Sequence, residues 1–217
     1  MFSWFQELLK RGQTAKSAPV VDLAEIRRSF EDAASDEEHF PSTIDPRIYH
    51  VQLIARYFGD LNGKRVLDAG CGKGRFGRVL HEQNPQAKIV SLDLALAMLR
   101  HAGPPLLPCC GTLTQYPFRD ASFDCVYATE SLEHAVDIES AIAELCRVLK
   151  PGGKLVIIDK NADHWGRFDT PHWERWFRPA ELEQLLRRHC KEASSEFISY
   201  WEDVPPDGLF VAWKAIR

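Results

Sequence analysis

The chain has no apolar run approaching the roughly 20 residues needed to cross a bilayer, which argues against a membrane-embedded protein. It also lacks any excess of basic charge. The 27 Lys and Arg are outnumbered by 31 Asp and Glu, for a formal net charge of −4, so nothing draws the whole molecule toward nucleic acid and no such partner is expected. Cys71, Cys109, Cys110, Cys125, Cys146 and Cys190 include no CxxC pair, and His189 and Cys190 are adjacent rather than spaced for chelation. No metal is expected, and the thiols read as reduced and mostly buried. The opening MFSWFQELLKRG lacks a basic leader, a long apolar segment and a small-residue cleavage site, so it is not a secretory signal and a cytoplasmic location is expected.

What is present is enough for one α/β domain: 217 residues, 45% hydrophobic and 27% charged. Residues 1–20 stand apart. Phe2, Trp4, Phe5, Leu8 and Leu9, then Lys10, Arg11 and a small-residue linker, predict a short amphipathic helix on a tether. Such a helix either packs on its own domain or makes a weak membrane-surface or protein contact through residues 1–11. Residues 21–217 are expected to form a single domain. Apolar residues recur at helical spacing over 23–30 and 46–58, and the acidic run 32–38 between them reads as a solvated loop.

After the turn signal Asn62-Gly63 strands and helices alternate with little spacer. Strands are predicted at 65–69, 88–92, 106–110, 123–128 and 155–158, and helices at 75–83, 95–102 and 138–149, the last stopped by Pro151-Gly152-Gly153. A helix from Pro179 to about 189 and strands at 196–201 and 209–215 close the chain. Residues 161–178 break the alternation. They mix Trp165, Phe168, Trp173, Trp176 and Phe177 with His164, Arg167, His172, Arg175 and Arg178, and predict a lid or pocket insert.

The stretch 64–77, KRVLDAGCGKGRFG, runs a short apolar strand into a glycine turn and a helix start, the usual cradle of a nucleotide-type cofactor. The glycines alone decide little, since Gly72 to Gly77 also satisfies the GxGxxG form of dinucleotide enzymes. Three further features accompany it: Asp93 at the end of the second strand, PFRDASFDCVYATE and RVLKPGGKLVIID. As a set they resemble the class I S-adenosylmethionine-dependent methyltransferases, in particular the small-molecule enzymes with a VLDxGCGxG opening, over about residues 45–217. The resemblance implies a doubly wound, mostly parallel seven-stranded α/β sheet of order 3-2-1-4-5-7-6, last strand antiparallel, with helices on both faces.

It also implies S-adenosyl-L-methionine as cofactor. Asp68 and the Gly70, Cys71, Gly72 and Gly74 backbone would surround its amino-acid part, and Asp93 would accept from the ribose hydroxyls. That division suits the chemistry, because a carboxylate offers two acceptors to a vicinal diol and a counter-charge to an ammonium. Leu94 and Met98 would pack on adenine, and Cys71 would be a small filler rather than a nucleophile. The family commonly has Gly-Asp after the third strand; here Gly111-Thr112 leaves a Thr112 hydroxyl or a backbone carbonyl to reach the adenine amino group.

The segment from Thr129 to His134 falls where, in the family, the sulfonium meets the acceptor. His134 is the expected base for a hydroxyl acceptor, with Glu130 as its orienter or a cofactor contact. In the insert, His164, Trp165, Arg167, Trp173 and Trp176 are the expected pocket for a flat or amphipathic acceptor. Asp159, Lys160 and Asn161 end the fifth strand, where open α/β sheets place ligand contacts. The expected activity is methyl transfer to a small molecule, at oxygen more than nitrogen. The alternatives are a nicotinamide-dependent reductase and a non-catalytic cofactor-binding partner protein.

Overall fold

Neighbouring apolar residues make the strands, and that alone requires cover on both faces of the sheet. In the computed structural model, which describes residues 22–217, strand β1 (Arg65–Ala69) buries Val66 and Leu67 completely although successive side chains leave opposite faces. The amphipathic segment expected at residues 1–20 lies outside the described residues. Double burial recurs in β2 (Lys88–Asp93), β4 (Phe123–Thr129) and the apolar half of β5 (Leu149–Lys160). Together with β3 (Leu107–Cys110), β6 (Glu192–Ile198) and β7 (Phe210–Ile216) they form one sheet of order β3-β2-β1-β4-β5-β7-β6. The first five run parallel, and β7 is antiparallel to both β5 and β6.

One face packs on α2 (Tyr49–Phe58) and α3 (Arg75–Gln83), through Val51, Ile54, Phe58, Phe76 and Leu80 against Val66, Ile89, Tyr127 and Val156. The other packs on α5 (Ile138–Val148) and α6 (Pro179–Arg187), with Ile142, Leu145, Leu182 and Leu186 against Leu67, Val126, Ile157 and Trp213. Strand order reverses on either side of β1, so a crevice opens beyond the carboxyl ends of β1 and β4, where doubly wound sheets hold ligands. No helix among the described residues is long and apolar enough to cross a membrane.

Local differences from the sequence expectations have identifiable causes. Pro151-Gly152-Gly153 does not separate helix from strand. Strand β5 begins at Leu149, paired with Phe123, and the next registered pair is Lys154 with Cys125, so residues 150–153 are absorbed as a bulge. The helix expected at 95–102 is the short α4 (Leu96–Leu99), because His101 and Ala102 donate to the carbonyls three residues back and tighten the chain into turns. Strand β6 starts at Glu192, earlier than expected, since its register pairs Glu192 with Ile216.

The acidic run is also corrected. Helix α1 (Leu23–Ala33) continues into it, and carboxylates in and just before the run fasten the segment instead of only facing water. Glu31 accepts from the Leu96 and Ala97 amides, at 2.7 and 2.9 Å, capping α4. Glu37 accepts from the Lys73 ammonium at 2.6 Å, which holds the Glu37 carboxyl at about 2. The Lys73 side chain is 1% exposed although it sits in the glycine turn, so residues 36–42 lie across that turn as a strap. Lys73→Ala is expected to speed proteolytic cleavage within residues 34–42. Cleavage at the wild-type rate would show that other contacts hold the strap.

Candidate active site

The crevice contains a cavity of about 340 Å³, within the range of small-molecule sites. Its floor is the glycine turn. Gly70 and Cys71 donate to Leu92 O at 2.8 and 2.9 Å, drawing the turn onto the end of β2, while Gly74, with φ +78°, is the N-cap of α3. A Cβ at Gly70 would overlap the Cβ of Ser131, whose hydroxyl donates to Ala69 O at 2.7 Å. The turn and the segment after β4 are therefore locked together.

Two carboxyls flank the glycine turn on this cavity, Asp68 buried and Asp93 partly buried. Asp93 accepts from Gly72 N and Ala95 N at 2.8 and 2.9 Å, one amide per oxygen, which fixes its orientation. Burial still holds its carboxyl above the usual range, against the pull of those amides. Asp68 is 3% exposed, and its Oδ2 has no hydrogen-bond partner. Burial lifts this carboxyl to about 7; the Tyr127 hydroxyl and Arg75 oppose the shift and Asp93 adds to it. An orphaned buried carboxylate of this kind is costly unless a cation or hydrogen-bond donor reaches it.

Cys71, Leu94, Met98 and Thr112 line the walls with Thr129, whose hydroxyl is also unpartnered. Burial and the neighbouring Asp68 and Asp93 push the Cys71 thiol well up, so it is no thiolate nucleophile. Gly74 does not line the cavity and shapes it indirectly: a Cβ there would stand 2.7 Å from Leu106 Cδ1. Thr112 Oγ1 accepts from Gln115 N at 3.1 Å and lies 3.3 Å from Thr114 Oγ1.

Beyond β4 the chain turns sharply, with Glu130 at φ +50°, and aims a second polar group into the same cavity. The Glu130 carboxylate is 3.7 Å from Arg75 Nη2. His134 stacks edge-on against Phe30 of α1, with ring centroids 5.0 Å apart. The near-neutral imidazole expected from sequence is not found. Burial lowers His134 to about 4, so it is uncharged and weakly basic at neutral pH.

Of the insert residues expected in the acceptor pocket, Trp173 lines the cavity and the other four do not. Trp176 is buried and donates to Glu174 Oε1 at 2.6 Å. Trp165, 54% exposed, stacks on the outer side of Trp176. Arg167 pairs with Asp207 at the surface, and His164 sits over Gly208. The large rings mainly pin the insert to the sheet, as Phe177 does against Trp213.

Sequence reasoning passed over Glu133 and Glu174, which reach the cavity beside Lys160. Lys160 Nζ is 2.5 Å from Glu133 Oε1 and 3.3 Å from Glu174 Oε1. It also passed over the apolar roof from α1 and the strap, Ile26, Phe30 and Phe40. The only available signals were the carboxyl-end position of Lys160 on β5 and the helical spacing of α1.

Known proteins resemble this chain in sequence and in fold. Residues 67–157 match a methyltransferase domain family. The chain is 33% identical over 160 residues to a demethylmenaquinone methyltransferase of Renibacterium salmoninarum, covering 70% of this chain and 66% of that protein. It is 34% identical over 134 residues to a fatty-acid O-methyltransferase of Mycolicibacterium smegmatis, covering 59% and 47%. The aligned part thus spans about half to two thirds of these relatives' lengths. The fold superposes with a TM-score of 0.73 on a phosphoethanolamine N-methyltransferase of Haemonchus contortus in complex with S-adenosyl-L-methionine, at 14% identity, covering 92% of this chain and 60% of that one. With the domain match at residues 67–157, the seven-stranded sheet of matching order and a cavity at its switch point, the chain belongs to the class I S-adenosylmethionine-dependent methyltransferases.

Proposed function

We propose that the protein transfers a methyl group from S-adenosylmethionine to a small-molecule acceptor, with oxygen the favoured nucleophile. The observation that carries this is the pair of carboxyls beside the glycine turn, buried Asp68 with an orphaned oxygen and partly buried Asp93 clamped by two amides. They fit the cofactor's two polar ends. The ammonium of its amino-acid part is the cation that Asp68 lacks, and the remaining lone pairs of Asp93 suit the ribose diol. Leu94 and Met98 offer an apolar wall for the adenine, and the unpartnered Thr129 hydroxyl is a further contact.

When bound, the cofactor supplies an electrophilic methyl on a sulfonium, displaced in line by the acceptor. The chain's own work is to hold the acceptor on that axis, to exclude water and to take a proton. The wall formed by Glu130, His134 and Trp173 is the acceptor end, and the roof from α1 shields it from solvent. The oxygen preference rests on proton-accepting groups at this end and on the O-methyltransferases among the relatives, which act on malonyl-acyl-carrier protein and fatty acids.

Calorimetric titration tests the cofactor half, and a labelled-methyl assay against fractionated metabolites tests the transfer. S-adenosylhomocysteine is expected to bind, NADH is not, and at least one fraction is expected to take up label. Binding of NADH without S-adenosylhomocysteine would contradict the reading.

A further inference from the structure

At the acceptor end, Lys160 pairs with Glu133 and Glu174, and a third carboxyl, Asp159, is buried beside the Glu133 amide. Glu133, in the 3-10 turn (Leu132–His134), is 1% exposed, and Asp159, next to the last residue of β5, is wholly buried. The Glu133 amide donates to Asp159 Oδ2 at 3.2 Å, which makes the two residues neighbours in one buried site. Lys160 Nζ, at 2.5 Å, satisfies Glu133 Oε1. That leaves one oxygen on each group without a donor, Glu133 Oε2 and Asp159 Oδ1. Two ionised carboxylates are costly as buried neighbours, whereas one proton held by the pair removes a charge from the site and supplies a donor that the orphaned oxygens lack.

We infer that Glu133 and Asp159 share one proton and that this pair, rather than His134, receives the proton an O–H or N–H acceptor loses on methylation. The inference rests on the methyltransferase reading above. Glu133 is the catalytic member, because it lines the cavity, and Asp159 behind it is a positioning residue. In the step, the acceptor's lone pair forms the new bond to the methyl carbon and the S–CH3 bonding pair stays on sulfur. The acceptor's proton passes to Glu133 and makes the pair neutral; it later leaves through the cavity mouth.

The surrounding charges suit this role. Burial raises Glu133 to about 7, Lys160 restrains the rise and Glu174 adds to it. Asp159 is pushed well up by burial and by Glu133. His134, which is neutral, and Glu130, paired with Arg75, complete the facing groups, with Arg175 joined to Glu133 O through its amide. The pair thus carries one negative charge above about pH 7 and can accept a proton there, as an efficient general base should.

The test is a carbon-13 titration of the Glu and Asp carboxyls in the wild-type protein saturated with S-adenosylhomocysteine, joined to pH profiles of methyl transfer. Two carboxyls are expected to titrate in coupled, two-step curves with one step near 7, and Asp159→Asn should collapse them to a single lower step. Glu133→Gln should slow transfer by roughly 100-fold or more and erase the acid limb near pH 7, while Asp159→Asn moves that limb to lower pH. Ordinary titration of both carboxyls would overturn the inference whatever the rates do, and needs no variant. So would a limb that follows His134→Gln instead of Glu133→Gln. Failure of S-adenosylhomocysteine to bind would instead count against the methyltransferase reading.

Discussion

Asp68→Asn is expected to weaken S-adenosylhomocysteine binding by roughly 10- to 100-fold at pH 8, the effect of losing a hydrogen bond to a charged group worth ~1.5–3 kcal/mol. It should also remove a pH dependence. In the free protein the Asp68 carboxyl sits at about 7, so below that pH it must give up a proton before it can pair with an ammonium. Wild-type affinity should therefore fall as pH drops below 7, by up to about tenfold per pH unit, while the variant stays flat. The ligand-free protein should respond with the opposite sign. A carboxyl raised above its ordinary 3.8 keeps its full stabilising contribution at low pH and loses it as pH rises through 7. Denaturation of wild type and variant across that window, together with calorimetry, checks both arms. Equal affinities with equal pH slopes would show that Asp68 only packs beneath the turn.

Gly70→Ala is expected to destabilise the fold by about 2–5 kcal/mol, combining a left-handed backbone cost of ~1–2 with an overpacking cost of ~1–3. The collision is with Ser131, which cannot give way because it is 5% exposed and tied to Ala69 O. Gly72 is the internal comparison. Its φ is +53°, but a Cβ there meets nothing within 4 Å, so Gly72→Ala should carry only the backbone cost of about 1–2 kcal/mol. Urea denaturation of the two variants separates the contributions. Equal losses would mean that close approach to the β4 segment is not what requires glycine at position 70.

Much of this was legible in the sequence because it is local. The strand, turn and helix of 64–77 are contiguous, and Asp93 follows at the end of the next strand, so apolar runs and glycines located the turn that floors the cavity. The closing antiparallel pair was legible for the same reason. The cavity wall around Lys160 was not. Glu133, Lys160 and Glu174 belong to three segments that only the β4–β5 pairing and the folded insert bring together. Charges such as Glu31 and Glu37 look solvated in a linear reading, since their partners, the α4 amides and Lys73, lie more than 35 residues away. The aromatic insert misled for a different reason: tryptophan fills a core and lines a pocket equally well, and nothing in its spacing separates Trp173 from Trp176.

A crystal structure with S-adenosylhomocysteine bound tests the central claim most directly. It should show the ribose hydroxyls donating to Asp93, the ammonium filling the gap at Asp68 Oδ2, and the sulfur opening toward Glu133 and Trp173. A ligand seated outside this cavity, or one whose ammonium turns away from Asp68, would contradict the account.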